Sequence, residues 1–439
     1  TYYTENSHWY SLKDLRLAND IELENQGVDP VALTALLNDD AMDELYELWV
    51  HDLFSVLDET AIDSSFTKEN IEKIVDKNLD VIYYLKEELI PIYEYHEFIN
   101  MIQEEYKESV AICGSHGKTT VTKLLHHCLN FNNNCSCIVG DGSANVEASN
   151  DLLVFEACEY QNHFLMYHPK DIIILNIDYD HSDYFKTYED YVCSYIKFSK
   201  NAKNNVFIHE DYIKKFNNNN IYSFGKMISS DFYAQNIVLE QDGYCFDFYA
   251  FKTFITHVTT KFYASFMIDH LVAILGYAYI HNFDLYNIIK RVPLFGGVKK
   301  RNQEIIINDD IYVIDYAHHP TQMEAMIKMC RNKYPTYKIA AIYKPDRYSR
   351  VKEFTQEIAH SLSLSDLAYV EDFNPNTIKD VDDNTNINDI IDLNPKKIKN
   401  FKEIHENDFS SKEYYVFLLM SSKDISFVMK KIEKIRLKV

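Results

Sequence analysis

The chain has 439 residues, 46% apolar and 25% charged, which excludes a disordered chain and leaves room for two or three domains. A net charge of −23 argues against nucleic acid or an anionic membrane as the main partner. No signal peptide and no apolar run of 18 residues is evident, and the eight cysteines show neither a C-x-x-C pair nor zinc-type spacing, so reduced thiols and a cytoplasmic location are expected.

Residues 1–108 read as a first α/β domain, with helical patterns over 41–57, 68–77 and 94–106 and strands over 79–84 and 89–93. It carries no G-x-G-x-x-G dinucleotide fingerprint. Residues 109–294 read as a second α/β domain. The apolar run Val110-Ala111-Ile112-Cys113 predicts a buried strand and 121–129 a helix. Between them lies Gly114-Ser115-His116-Gly117-Lys118-Thr119-Thr120. Glycine is scarce, 10 residues in all against a usual share of roughly 7%, so a loop that keeps two carries information.

Strand, glycine loop, Lys-Thr and helix is how proteins cradle a polyphosphate, with backbone N–H groups and a helix N-terminus facing the anion. Lys118 is then expected at the β- and γ-phosphates and the Thr119 hydroxyl at Mg²⁺. The strict G-x-x-x-x-G-K-[ST] pattern is not met, because Ile112 stands where it needs glycine. Further strands are expected over 152–156 and 172–177, β-hairpin material over 232–249 and 251–262, and a buried helix over 267–280.

Residues 295–439 read as a third domain opening at Phe295-Gly296-Gly297. Strands over 311–315, 339–343, 367–370 and 415–419 alternate with helices over 321–333 and 351–361, which implies another parallel sheet. The polar stretch 380–392 reads as a loop.

Several strand ends carry chemistry, and open parallel sheets place ligands there. Glu156, in Val154-Phe155-Glu156-Ala157-Cys158-Glu159-Tyr160, is a carboxylate opposite the phosphate loop and suits Mg²⁺. Asn176-Ile177-Asp178-Tyr179-Asp180-His181-Ser182-Asp183 gathers acids around His181; a solvated acidic turn fits it equally well. Asp315-Tyr316-Ala317-His318-His319-Pro320, Lys299-Lys300-Arg301 and Lys344-Pro345-Asp346-Arg347-Tyr348-Ser349-Arg350 are each, taken alone, as compatible with a surface loop as with a site.

Together these segments carry a resemblance. GSHGKTT, IVGDG, FEACEYQNHFL, NIDYDHSDYF, FGGVKKR, DYAHHP and PDRYSR occur in an order and spacing similar to those of the Mur ligases, the ATP-dependent amide-forming family of peptidoglycan synthesis. Within that family the chain looks most like the branch that joins L-alanine to UDP-N-acetylmuramate in low-GC Gram-positive bacteria. The resemblance spans roughly residues 85–425. It implies a three-domain α/β architecture: a divergent Rossmann-like substrate domain over 1–108, a central P-loop ATPase-like parallel sheet over 109–294, and a Rossmann-like domain for amino acid and nucleotide over 295–439.

It also implies roles. Gly114, Ser115, His116, Gly117, Lys118, Thr119 and Thr120 would bind ATP phosphates. Thr119 or Thr120, with Glu156, would hold one Mg²⁺, and His181 would approach a second. His270, Arg301, Asp315 and His318 would meet the nucleotide, and Arg347 and Arg350 a carboxylate. Lys118, Glu156 and His181 would form the catalytic set. Lys197, at the position some relatives carbamylate, reads better as a helix-surface lysine.

The chain departs from the family pattern at several points. Its first residues, Tyr2 to Tyr10, lack the glycine-rich loop that holds a uridine diphosphate, and the acidic stretch 38–47 offers no evident replacement. Ile274 stands where the adenine-contacting helix carries Asn. Asp346 replaces the His of P-H-R, Asn302 a Phe, and Ser421-Ser422-Lys423-Asp424 a G-A-G-D turn. The phosphate and magnesium chemistry is kept, while recognition of uridine diphosphate and adenine is eroded.

Overall fold

The structure is a computed structural model that describes residues 2–3, 9–10, 95–131, 134–147, 149–217, 220–373 and 385–438. The helices expected over 41–57 and 68–77 and the strands over 79–84 and 89–93 lie outside the described residues. The chain divides into two compact units, Thr1–Ile99 and Asn100–Val439. Within the first, Tyr2–Tyr3 pairs antiparallel with Trp9–Tyr10. A helix, α1 (Tyr95–Glu105), covers most of the expected 94–106 segment. The second unit contains two sheets.

The first sheet is assembled from β1 (Glu108–Cys113), β2 (Cys135–Ile138), β3 (Ala144–Asn145), β4 (Leu152–Glu156), β5 (Asp171–Ile174), β6 (Asn205–His209), β7 (Ile221–Gly225), β8 (Phe232–Glu240), β9 (Gly243–Ala250) and β10 (Thr253–Thr259). Its order is β10-β9-β8-β7-β6-β5-β1-β4-β2-β3. Strands β2, β4, β1, β5, β6, β7 and β8 run parallel, whereas β3, β9 and β10 pair antiparallel with their neighbours. The central strands are continuous apolar runs because both faces are covered, the usual state of a parallel strand. Helix α2 (Lys118–Leu129) follows β1, and α3 (Tyr188–Ser199) follows β5, its first turn capped by the Thr187 hydroxyl accepting from Asp190 N–H. Helix α4 (Phe266–Ile280) is apolar on nearly all sides and packs beneath β6, β7 and β8. Helix α5 (Leu285–Arg291) closes this half.

β4 lies on one side of β1 and β5 on the other, so chain order reverses at β1. This switch point is where an open parallel sheet leaves a crevice at its carboxyl edge. The loops leaving β1, β4 and β5 carry Gly114 to Gly117, Ala157 to Tyr160, and Asn176 to Asp183.

The second sheet contains β11 (Gln303–Ile307), β12 (Asp310–Asp315), β13 (Lys338–Tyr343), β14 (Leu367–Val370), β15 (Ile398–Asn400) and β16 (Tyr415–Met420), in the order β11-β12-β16-β13-β14-β15. All but β11 run parallel. The β11–β12 hairpin turns through Asn308 and Asp309, both at positive φ, which fits the right-handed twist of the strands. Helices α6 (Pro320–Lys333), α7 (Tyr348–Leu362), α8 (Asn388–Ile391) and α9 (Ser426–Arg436) complete this half. Pro320 occupies the first turn of α6, where its missing N–H costs nothing. The described part of the stretch expected to be a loop, 385–392, includes α8, a correction: Ile387 and Ile390 are buried and pull a polar segment into a helical turn.

All eight cysteines are unpaired thiols. Among the described residues no helix is long and apolar enough to cross a membrane.

Candidate active site

The phosphate loop is held open by glycine geometry and by the neighbouring strand end. Gly117 has φ +87 and caps α2; an added Cβ there would lie 2.6 Å from His270 Cε1 and 2.7 Å from its Nε2. His270, buried on α4, therefore sits directly against the loop. Burial, then His209 and Lys226, pull its imidazole down to about 3, so it is neutral near pH 7. Asn176 brackets His116: its Oδ1 accepts from His116 N–H at 2.8 Å, and its side-chain amide donates to His116 O at 3.0 Å. Ser115 Oγ donates to Asp178 O at 2.6 Å and lies 2.9 Å from the Tyr191 hydroxyl.

Lys118 Nζ donates to Gly114 O at 2.7 Å and to Glu159 Oε1 at 3.1 Å, and lies 2.9 Å from Glu159 Oε2. Burial disfavours the lysine charge, but Glu159, together with Cys158 and Glu156 beside it, outweighs it and raises the pKa. Burial likewise pushes Glu159 up, while Lys118 and then His181 pull it below the usual carboxylate range. The pair is ionised and almost fully enclosed. His181 Nε2 lies 3.5 Å from Glu159 Oε1, its ring 4.7 Å from that of Tyr160, and its backbone at positive φ.

Thr119 Oγ1 donates to Glu156 Oε2 at 3.0 Å, and Gly140 N–H donates to the same oxygen at 3.0 Å. A hydroxyl and a carboxylate brought together beside a phosphate loop are the hard oxygen donors that Mg²⁺ takes, so this pair fits the ion. His181, in contrast, contacts Glu159.

Loops from the second sheet meet this edge. Arg350, 4% exposed, donates from NH1 to Asp346 Oδ1 at 2.6 Å and from NH2 to Asp180 Oδ1 at 3.2 Å. Arg347 NH1 donates to Asp183 Oδ2 at 3.0 Å, which also accepts from the Tyr160 hydroxyl at 2.9 Å. Burial opposes the charge on Asp180, but Arg350, His181 and His318 hold its carboxyl well below the ordinary range. His318 Nδ1 donates to Tyr316 O at 2.8 Å, and its Nε2 faces Asp180 Oδ2 at 3.9 Å; burial and then Arg350 pull it down to about 4. The rings of His116 and His319 lie 4.9 Å apart.

Asp315 accepts from Asn302 N–H and Ala317 N–H, each at 2.7 Å. Burial raises its pKa despite nearby Arg301, whose guanidinium lies over the Tyr316 ring at 4.3 Å.

Two family models match the chain: the Mur ligase middle domain over residues 112–278, and the Mur ligase, glutamate ligase domain over 301–408, together well over half of its length. The chain belongs to the Mur ligase family. Members of this family are ATP-dependent amide-bond-forming ligases. Three solved structures have a similar fold. One is a UDP-N-acetylmuramate-alanine ligase, MurC, from Thermotoga maritima (19% identity, 86% of this chain and 84% of that one, TM-score 0.64). A second is a murein peptide ligase from Psychrobacter arcticus (16% identity, 94% and 90%, TM-score 0.58). The third is the MurF ligase of Thermotoga maritima in complex with ADP (20% identity, 79% and 85%, TM-score 0.58).

In this Mur ligase the residues singled out by sequence fall into three groups. Gly114 to Thr120, Glu156 and His270 gather at the β1 switch point. His318, Arg347 and Arg350 meet the 178–183 loop, while Arg301 and Asp315 form a separate pair at the start of the second sheet. Lys197 is exposed on α3, as expected. Three residues escaped sequence reasoning: Glu159, Asn176 and Tyr191. Glu159 and Asn176 stood inside quoted motifs, but nothing in their spacing distinguished a partner of the loop from a neighbouring polar residue. Tyr191, one of 34 tyrosines, lay in none of the motifs.

Proposed function

We propose that this Mur ligase joins L-alanine to the carboxylate of UDP-N-acetylmuramate at the expense of ATP, as a step of cytoplasmic peptidoglycan precursor synthesis. The observation that carries the reading is that Lys118, Thr119 and Glu156 lie on the same carboxyl edge as the 178–183 loop, which Arg347 and Arg350 reach from the second sheet. Phosphate-handling and carboxylate-binding groups are what the joining of an acid to an amine requires. Residues 1–108 serve as a divergent uridine nucleotide domain that binds its ligand weakly, 109–294 as the ATP domain and 295–439 as the amino-acid and nucleotide domain.

The loop N–H groups and Lys118 align the polyphosphate, with His270 fixing the loop from beneath. Thr119 and Glu156 would hold Mg²⁺, and His181 would approach a second ion; when bound, the metal would neutralise charge on the transferring phosphoryl group. The substrate carboxylate takes the γ-phosphoryl group and releases ADP. The L-alanine amine then attacks the acyl carbon, its C–N bond forms, the C–O bond to phosphate breaks, and a proton leaves the nitrogen. Arg347 and Arg350 orient the amino-acid carboxylate.

A second reading, a family member that binds nucleotide without completing ligation, is favoured by Asp346. Together with Asp180 it already engages both terminal nitrogens of Arg350. Mass spectrometry of products separates the two. Incubation with ATP, Mg²⁺, L-alanine and UDP-N-acetylmuramate is expected to yield UDP-N-acetylmuramoyl-L-alanine; ADP-bound protein without any amide product would overturn the first reading.

A further inference from the structure

Lys118 is the group expected to carry most of the positive charge to ATP, yet it is held by a carboxylate of the protein itself. Glu159 is fully buried, and its two oxygens stand 3.1 and 2.9 Å from Lys118 Nζ. The remaining reach of the ammonium goes to Gly114 O at 2.7 Å and Ser115 O at 3.4 Å. Glu159 is fixed from behind by the Tyr191 hydroxyl, which donates to Oε1 at 3.3 Å and lies 3.2 Å from the Tyr195 hydroxyl. Both tyrosines are fully buried on α3. Tyr191 also touches Ser115 Oγ, so one side chain ties the carboxylate to the loop. Such a constellation has little freedom, because the two tyrosines sit in an aromatic cluster with Phe164, Phe185 and Tyr179.

We propose that Glu159 is a positioning residue that acts as an internal stand-in for phosphate, holding Lys118 until a nucleotide phosphate competes for it. The inference rests on the nucleotide-binding part of the reading above, and not on the identity of the acid or the amine. Lys118 cannot give its full charge to an incoming phosphate while it neutralises Glu159, and Glu159 itself repels the polyanion at short range. The carboxylate therefore weakens nucleotide binding while keeping the buried ammonium paired when no phosphate is present.

The test is isothermal titration of ADP into wild-type protein, Glu159→Gln and Tyr191→Phe, once in EDTA and once with Mg²⁺. In EDTA, Glu159→Gln is expected to bind ADP about tenfold tighter, the scale of one charge interaction in a partly buried site. Tyr191→Phe, which keeps the ring packing and removes one donor, is expected to shift affinity the same way by a smaller factor. Damage to the fold does not tighten binding, so a gain speaks for the competition itself, and Tyr191→Phe supplies the test should Glu159→Gln fail to fold. Unchanged or weaker ADP binding in EDTA overturns the proposal. Weakening confined to the Mg²⁺ titration also overturns it, because it makes Glu159 a metal ligand. Wild-type protein that binds no ADP removes this proposal and the nucleotide reading together, whereas a wild type that binds ADP and gains nothing from either variant removes this proposal alone.

Discussion

Replacing Arg350 with Leu tests the seam between the two sheets. Arg350, Asp180 and Asp346 are 4%, 5% and 3% exposed, so the substitution strands two carboxylates in a site that excludes water. Breaking a buried pair by removing one partner costs about 3–5 kcal/mol, chiefly because the remaining charge is uncompensated. Asp346 keeps the Ser422 hydroxyl at 2.6 Å and Asp180 keeps His181 N–H at 2.8 Å, so the lower half of that range is expected. The pH dependence has a definite sign. In the wild type Asp180 titrates below its unfolded value, so its contribution is complete above the unfolded carboxylate range of about 3.9 and is lost as the pH falls through the folded value. Without Arg350 the chief cause of that depression is gone and burial dominates, so the folded variant takes up a proton more readily than the unfolded chain. Its deficit against the wild type should shrink between pH 7.5 and pH 5. Urea unfolding followed by far-UV circular dichroism is the assay, because the unit Asn100–Val439 contains no tryptophan. A loss below about 1 kcal/mol at pH 7.5, the scale of a surface ion pair, would refute the argument, as would a deficit that stays constant with pH.

Gly117→Ala should cost about 1–2 kcal/mol from its left-handed backbone alone, and should also weaken ADP binding by displacing His270; unchanged ADP affinity in a titration would contradict the close approach. Thr119→Val leaves Glu156 Oε2 with the Gly140 N–H and should cost about 1–3 kcal/mol in urea unfolding. The same variant should need more Mg²⁺ for half-maximal phosphate release, and an unaltered Mg²⁺ requirement would remove Thr119 from the metal site.

The parallel core was legible because strands covered on both faces must be apolar throughout, and Val110 to Cys113 or Tyr415 to Leu419 admit no other reading at that length. Strands such as β6 and β7 were not legible, since Asn205–His209 and Ile221–Gly225 are short, flanked by polar residues, and defined by their neighbours in the sheet. At the site, residues whose chemistry requires a local pattern stood out: glycine at positive φ before Lys-Thr, and a carboxylate at a strand end. What could not be read was pairing across the fold. Lys118 finds Glu159, Asp180 finds Arg350, and Arg347 finds Asp183 over separations of 41, 170 and 164 residues, distances at which sequence spacing carries no information.

In the proposed ligation Lys118 serves an amide-forming reaction driven by ATP. Phosphate release measured with ATP, Mg²⁺, UDP-N-acetylmuramate and L-alanine, for the wild type and for Lys118→Ala, tests it most directly. Release is expected to require both the acid and the amine and to disappear in Lys118→Ala. Absence of release from the wild type, or release that survives the loss of Lys118, would contradict it.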